Sequence, residues 1–125
     1  MAIVLDTSAS MGYQGLNGVP FHRAQETAAG LLRSLRPGDT ATLILAAERP
    51  RVLFDPPTPQ IGDVIQAVLT AEPTPLGTRL LPAVERALAM LQRAETPNRE
   101  LYVLSDFARH GWESAPLKAR ACVWC

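Results

Sequence analysis

The chain has 125 residues, enough for one domain with a packed core but few for a complete doubly wound fold. Hydrophobic residues make up 47% and charged residues 19%, which is a globular composition. Because 12 Lys and Arg balance 12 Asp and Glu, charge gives no reason to expect nucleic-acid or anionic-membrane binding. No apolar stretch approaches the roughly 20 residues that span a bilayer, so we expect the chain as given to be soluble.

The apolar run from Ala2 to Leu5 predicts a buried strand of a parallel sheet. The strand ends in Asp6-Thr7-Ser8-Ala9-Ser10. In extended or looping backbone, positions i, i+2 and i+4 point the same way, so Asp6, Ser8 and Ser10 can converge. One carboxylate and two hydroxyls suit a hard cation such as Mg²⁺.

Apolar periodicity and turn residues predict the remaining elements. In chain order they are a helix at about 21–36, strands at 40–46 and 51–54, helices at 61–71 and 78–94, and a strand at 100–104. The link 47–50 is too short for a parallel crossover, so it predicts an antiparallel hairpin at a sheet edge. The order β-α-β-β-α-α-β predicts a three-layer, doubly wound (Rossmann-like) α/β domain. Its sheet is mainly parallel, with one antiparallel edge strand.

Helical spacing also predicts which face of each helix is buried. The predicted core positions are Phe21, Ala24, Ala28, Leu31 and Leu35 in the first helix, Ile61, Val64, Ile65, Val68 and Leu69 in the second, and Leu80, Val84, Leu88 and Leu91 in the third.

Two further polar positions belong to the same predicted sheet edge. Asp106 follows the fourth strand, and Thr78 is a natural N-cap of the third helix. Since neighbouring parallel strands present their carboxyl ends at one edge, Asp6, Ser8 and Ser10 can meet these two residues there. Any one of these five residues could serve only in a turn or as a helix cap. Their occurrence together at one predicted sheet edge favours a single metal site.

At this point the chain resembles the von Willebrand factor type A (VWA) domain with its metal-ion-dependent adhesion site. Asp6-Thr7-Ser8-Ala9-Ser10 matches the family's D-x-S-x-S, Gly77-Thr78 its loop threonine, and Ser105-Asp106 its strand-terminal aspartate. Residues 10–13 and 105–112 resemble bacterial, membrane-anchored VWA proteins of the aerotolerance type. The resemblance extends from Ala2 to about Trp112, and we treat 1–125 as a single, incomplete VWA domain.

The resemblance implies a binding module rather than an enzyme. In such sites the serines and the threonine usually touch Mg²⁺ directly, the aspartates often act through water, and Mn²⁺ can replace Mg²⁺. The metal then accepts an Asp or Glu from a partner protein. No obvious general base or nucleophile stands beside the predicted metal site. The resemblance also implies a membrane-anchored bacterial parent.

Two alternatives remain open. A strand ending in aspartate also opens haloacid-dehalogenase-like, Mg²⁺-dependent phosphatases, in which a second aspartate follows two residues later as acid and base. Ser8 occupies that position here, which removes the proton shuttle. The other alternative is a structural VWA domain that folds without using its metal.

Cys122 and Cys125 form a C-x-x-C pair in the last four residues, a pattern that is redox-active in some proteins and half a zinc site in others. The position predicts instead two thiols in or beside a strand beginning at Ala121. Because the sequence stops there, we expect a fragment whose fourth strand has an unpaired edge.

Overall fold

A computed structural model of the protein describes residues 1–7, 20–73, 80–93, 99–105 and 121–124. The elements are β1 (Ala2–Asp6), α1 (Pro20–Arg33), β2 (Thr42–Ala46), β3 (Arg51–Val52), α2 (Ile61–Thr70), α3 (Leu80–Arg93), β4 (Leu101–Leu104) and β5 (Ala121–Trp124). The predicted element order is confirmed, and β5 is the fifth strand that Ala121 was expected to open. Cys122 lies in β5, whereas Cys125 lies outside the described residues.

The sheet has five strands in the order β3-β2-β1-β4-β5. The central strand, β1, runs parallel to both β2 and β4, and β3 pairs with β2 in the antiparallel direction. This confirms a mainly parallel sheet with one antiparallel edge strand. The expected unpaired edge at the fourth strand is wrong, because β5 pairs parallel to β4 from Leu101↔Ala121 to Leu104↔Trp124.

The two faces of the sheet carry separate hydrophobic clusters, which follows from the alternation of side chains along a strand. Ile3 and Leu5 of β1 pack in the cluster that includes residues of α1 and α2. Ala2 and Val4 pack in the cluster with α3. The described elements therefore form three layers, with α1 and α2 on one face of the sheet and α3 on the other.

The buried helix faces differ in detail from the predicted stripes. In α1, Leu32 is fully buried and Leu31 only partly, because the helix packs along the i, i+4 row through Ala24 and Ala28. In α2, Leu69 is 45% exposed, so its predicted core position is wrong. In α3 the sequence stripe omitted three buried residues, Ala83, Ala87 and Met90. The alanines are buried since α3 packs directly on the sheet, where a small side chain allows close approach.

A buried polar side chain fixes α1 against the end of α2. The buried side chain of Gln25 donates from Nε2 to the backbone oxygens of Val68 at 2.9 Å and Ala71 at 3.0 Å. Beyond the helix, Gly38 has φ of 93°, a left-handed conformation that side chains disfavour.

Among the described residues no helix has the length and apolar character needed to cross a membrane.

Candidate functional site

The strand order creates a topological switch point at the carboxyl end of β1. From β1 the chain passes through α1, on one face of the sheet, to β2. It enters β4, which lies on the other side of β1, after α3, and α3 covers the opposite face of the sheet. These diverging connections mark the carboxyl ends of β1 and β4 as the place where sheets of this kind form a crevice. Open α/β sheets hold their ligands in such a crevice.

The direction of α3 places its first turn at the same edge. Pro82 lines a groove together with Pro50, which lies between β2 and β3 near the carboxyl end of β2. One turn later, Arg86 forms an ion pair of 3.1 Å with Asp55, beyond the other end of β3. The helix therefore runs antiparallel to β2, and its N-terminus at Leu80 lies toward the carboxyl edge of the sheet.

Asp6 is the last residue of β1 and is 2% exposed. Strand alternation places it on the face that α3 covers, with Ala2 and Val4. Ser105 directly follows β4, is also buried, and donates from Oγ to Oδ2 of Asp6 at 2.5 Å. The parallel register explains the contact: Leu5 lies opposite Leu104, so the next residue of each strand meets the other.

Thr7 makes the corresponding contact on the other side of β1. Its Oγ1 donates to the backbone oxygen of Ala46 at 2.7 Å, and its backbone N–H donates to the same oxygen at 3.1 Å. The end of β1 is thus tied to β2 through Thr7 and to β4 through Ser105. Only the Ser105 contact reaches the Asp6 carboxylate, because Thr7 bonds to the backbone of β2.

Of the five predicted site residues, the structure places Asp6 at the expected sheet edge. Ser8, Ser10, Thr78 and Asp106 lie outside the described residues. Sequence reasoning missed the contact of Ser105 with Asp6, although two signals could have found it. Ser105 continues the alternation of Leu101 and Val103, and its strand is parallel to β1.

Within the described ranges, no three His, Cys, Asp or Glu side chains gather as a metal-binding group. The predicted metal site does not need a group of that kind, since three of its five residues, Ser8, Ser10 and Thr78, would bind the metal through hydroxyls. Its carboxylates are Asp6 and Asp106.

A polar cleft of about 340 Å³ lies at the opposite, amino edge of the sheet, where Glu100 and Tyr102 line it. The Met1 ammonium donates to the backbone oxygen of Thr40 at 2.8 Å. Burial lowers the pKa of this ammonium below 8.0, while the nearby charges of Glu100 and Asp39 oppose the shift. Because ligands of α/β sheets bind at the carboxyl edge, we assign this cleft no part in the site.

The topology defines an α/β, Rossmann-like domain with a buried carboxylate at the end of its central strand. The chain belongs to the von Willebrand factor type A domain family, whose model matches residues 1–109. This confirms the predicted family. Its members often act in protein interaction and carry a metal site.

Solved structures with the same fold include two proteins from Bacteroides species. BatB from Bacteroides thetaiotaomicron is 22% identical, with a TM-score of 0.70 over 82% of this chain and 50% of that chain. An aerotolerance-related membrane protein from Bacteroides fragilis is 21% identical, with a TM-score of 0.70 over 82% of this chain and 51% of that chain. The present chain thus spans about half the length of both.

A third similar structure is proximal thread matrix protein 1 from the mussel byssus, with a zinc-occupied metal-ion-dependent adhesion site. It is 16% identical, with a TM-score of 0.63 over 82% of this chain and 27% of that chain. A comparison with curated proteins gives no match. At identities of 16–22%, these three structures show that the fold is shared and no more. Membership of the family rests on the match between the sequence and the family model.

Proposed function

We propose that this domain binds Mg²⁺ at the carboxyl edge of its sheet and that the metal accepts a carboxylate from a partner protein. Asp6, Ser8, Ser10, Thr78 and Asp106 are the proposed metal-site residues. One observation carries the proposal: a buried carboxylate, Asp6, is held in a fixed position at the switch point of a VWA domain.

The proposed donor set fits a hard divalent cation, because every member offers oxygen. Three of the five side chains are neutral hydroxyls, which cancel less of the metal's positive charge than carboxylates do. The metal thus remains able to attract one more anionic oxygen, which is the chemistry of a partner's Asp or Glu. Mn²⁺ suits the same ligands.

A binding role without catalysis agrees with the residues that surround Asp6 in the sequence. Ser8 stands where a haloacid-dehalogenase-like phosphatase needs its second aspartate, so Asp6 would have no acid–base partner there. The likeness to an aerotolerance-related membrane protein supports a membrane-anchored bacterial parent that displays this domain to its partner.

The metal is tested by calorimetric titration of the purified chain with Mg²⁺ and, separately, with Mn²⁺. We expect one site in the wild type and a loss of affinity of at least about tenfold in Ser8→Ala and in Asp106→Ala, since each change removes a proposed ligand. Glu48→Ala, at an exposed position after β2, is the matched control and keeps wild-type affinity. Binding that is equal in all four proteins would contradict the proposed ligands.

The partner's carboxylate is tested with two short peptides that differ only in Glu or Gln. When the protein holds Mn²⁺, the Glu peptide should displace metal-bound water and lower the water proton relaxation rate, whereas the Gln peptide should not. Equal effects of the two peptides would contradict carboxylate capture. Hydrolysis of p-nitrophenyl phosphate that depends on Asp6 would favour the phosphatase instead.

A further inference from the structure

We propose that Ser105 is a positioning residue of this metal site, which orients the Asp6 carboxylate through a hydrogen bond. The inference rests on the proposed function, but it concerns a residue outside the five proposed for the metal site. Ser105 is fully buried and lies at the end of β4, 99 positions from Asp6 in the chain.

The need for such a residue follows from the freedom of an aspartate side chain. The last torsion of aspartate is broad, so the backbone of β1 and the first side-chain torsion place the carboxyl carbon but leave the rotation of the carboxylate open. The Ser105 hydroxyl donates to Oδ2 at 2.5 Å, a length typical of a hydrogen bond to a charged oxygen. Fixing Oδ2 also fixes the direction of Oδ1, because the carboxylate is planar.

Burial strengthens this orientation. Asp6 is 2% exposed and Ser105 is 0% exposed, so bulk water competes little for their hydrogen bond. Without the hydroxyl, a buried carboxylate oxygen would lose one of its donors, and the carboxylate would rotate to recover another. A metal site tolerates such rotation poorly, since the groups that hydrogen-bond to metal ligands and orient them strongly affect affinity.

Ser105 also connects the two aspartates of the proposed site. It contacts Asp6 through its side chain and precedes Asp106 along the chain. The same residue therefore holds the end of β4, which leads into Asp106, against the end of β1.

The chain offers a matched control for a merely structural role. Thr7 is buried, belongs to the same end of β1 and donates from its hydroxyl to the backbone oxygen of Ala46 at 2.7 Å. It ties β1 to β2 as Ser105 ties β1 to β4, but its partner is a backbone carbonyl. Thr7→Val removes that hydrogen bond at nearly constant volume.

The experiment measures Mg²⁺ affinity by calorimetry and the electron paramagnetic resonance spectrum of bound Mn²⁺. The proteins compared are the wild type, Ser105→Ala, Ser105→Cys, Ser105→Thr and Thr7→Val, with circular dichroism as the check on folding. Ser105→Ala should lower Mg²⁺ affinity about 10- to 100-fold, the usual effect of losing an orienting group, and should broaden the Mn²⁺ spectrum. Ser105→Cys replaces the hydroxyl by a thiol, a weaker donor of similar size, and should lose less Mg²⁺ affinity than Ser105→Ala. If the alanine variant does not fold, the affinity of Ser105→Cys tests the positioning role.

Ser105→Thr keeps a hydroxyl at this position, so its Mg²⁺ affinity should lie within about threefold of the wild-type affinity. That loss is much smaller than the loss of about 10- to 100-fold expected when an orienting group is removed. Thr7→Val should lower thermal stability but leave metal affinity unchanged. Equal affinity in the wild type, Ser105→Ala and Ser105→Cys would overturn the positioning role while the proposed metal site stands. A loss in Thr7→Val as large as in Ser105→Ala would also overturn it. A wild type that binds neither metal would overturn the proposed function and this inference together.

Discussion

Gln25 shows how a single buried side chain can complete a neighbouring helix. The last carbonyl groups of a helix lack partners within it, and α2 ends at Thr70 with no basic residue in its last turn. The Gln25 amide, projecting from α1, donates to the oxygens of Val68 and Ala71. The end of α2 is therefore capped from outside, by a residue more than forty positions earlier in the chain.

Gln25→Leu should lower the free energy of unfolding by about 1–3 kcal/mol, because the oxygens of Val68 and Ala71 at the end of α2 lose the donor that the Gln25 amide supplies. Chemical denaturation followed by circular dichroism measures the change. The control is Gln66→Leu, the same substitution at an exposed position of α2, which should change stability by less than about 0.5 kcal/mol. Equal effects at both positions would show that the amide of Gln25 contributes nothing specific.

At the scale of an element, α1 and the turn after it contain two glycines, one with helical backbone and one with positive φ. Gly30 lies inside the helix, is exposed, and a Cβ added there would meet nothing within 4 Å. Gly38 also has open space around it, but its φ is 93°. Backbone conformation alone therefore distinguishes the two positions.

One substitution should then have opposite signs at the two sites. Gly30→Ala should raise stability by about 0.5–1 kcal/mol, since alanine loses less conformational freedom on entering a helix. Gly38→Ala should lower it by about 1 kcal/mol, since a side chain is strained at positive φ. Thermal unfolding of both variants beside the wild type measures this. The same sign in both would contradict the backbone argument.

The elements also show what the sequence could and could not predict. Strand positions and the antiparallel hairpin followed from short apolar runs and a four-residue link, because both are local signals. The burial of Leu32 in place of Leu31 did not follow, since it depends on which ridge of α1 packs against the sheet. The contact between Ser105 and Asp6 likewise required the register of two strands far apart in the chain. Only one of the five predicted site residues, Asp6, falls in the described part of the structure.

At the scale of the whole molecule, metal binding and folding should be linked. The proposed ligands come from three distant segments, so an unfolded chain does not hold them together. A ligand that binds only the folded state stabilises it by mass action. The paired ends of β1 and β4 are the part of the sheet that this linkage would strengthen.

We expect Mg²⁺ at 100 times its dissociation constant to raise the free energy of unfolding by about 2.7 kcal/mol, and excess chelator to reverse the gain. Thermal unfolding with and without the metal measures it. Asp106→Ala is the control: with affinity at least tenfold lower, it should gain no more than about 1.4 kcal/mol at the same Mg²⁺ concentration. Identical unfolding of the wild type with and without Mg²⁺ would contradict the linkage.

The hydrogen bond between Asp6 and Ser105 joins positions separated by 99 residues. During synthesis, the first strand emerges long before the residue that steadies its terminal carboxylate exists. Long-range parallel pairing of this kind forms slowly, because closing a large loop costs entropy before contacts repay it. The nascent chain must thus complete nearly its whole sheet before Asp6 takes its final orientation, so the proposed metal site is completed last.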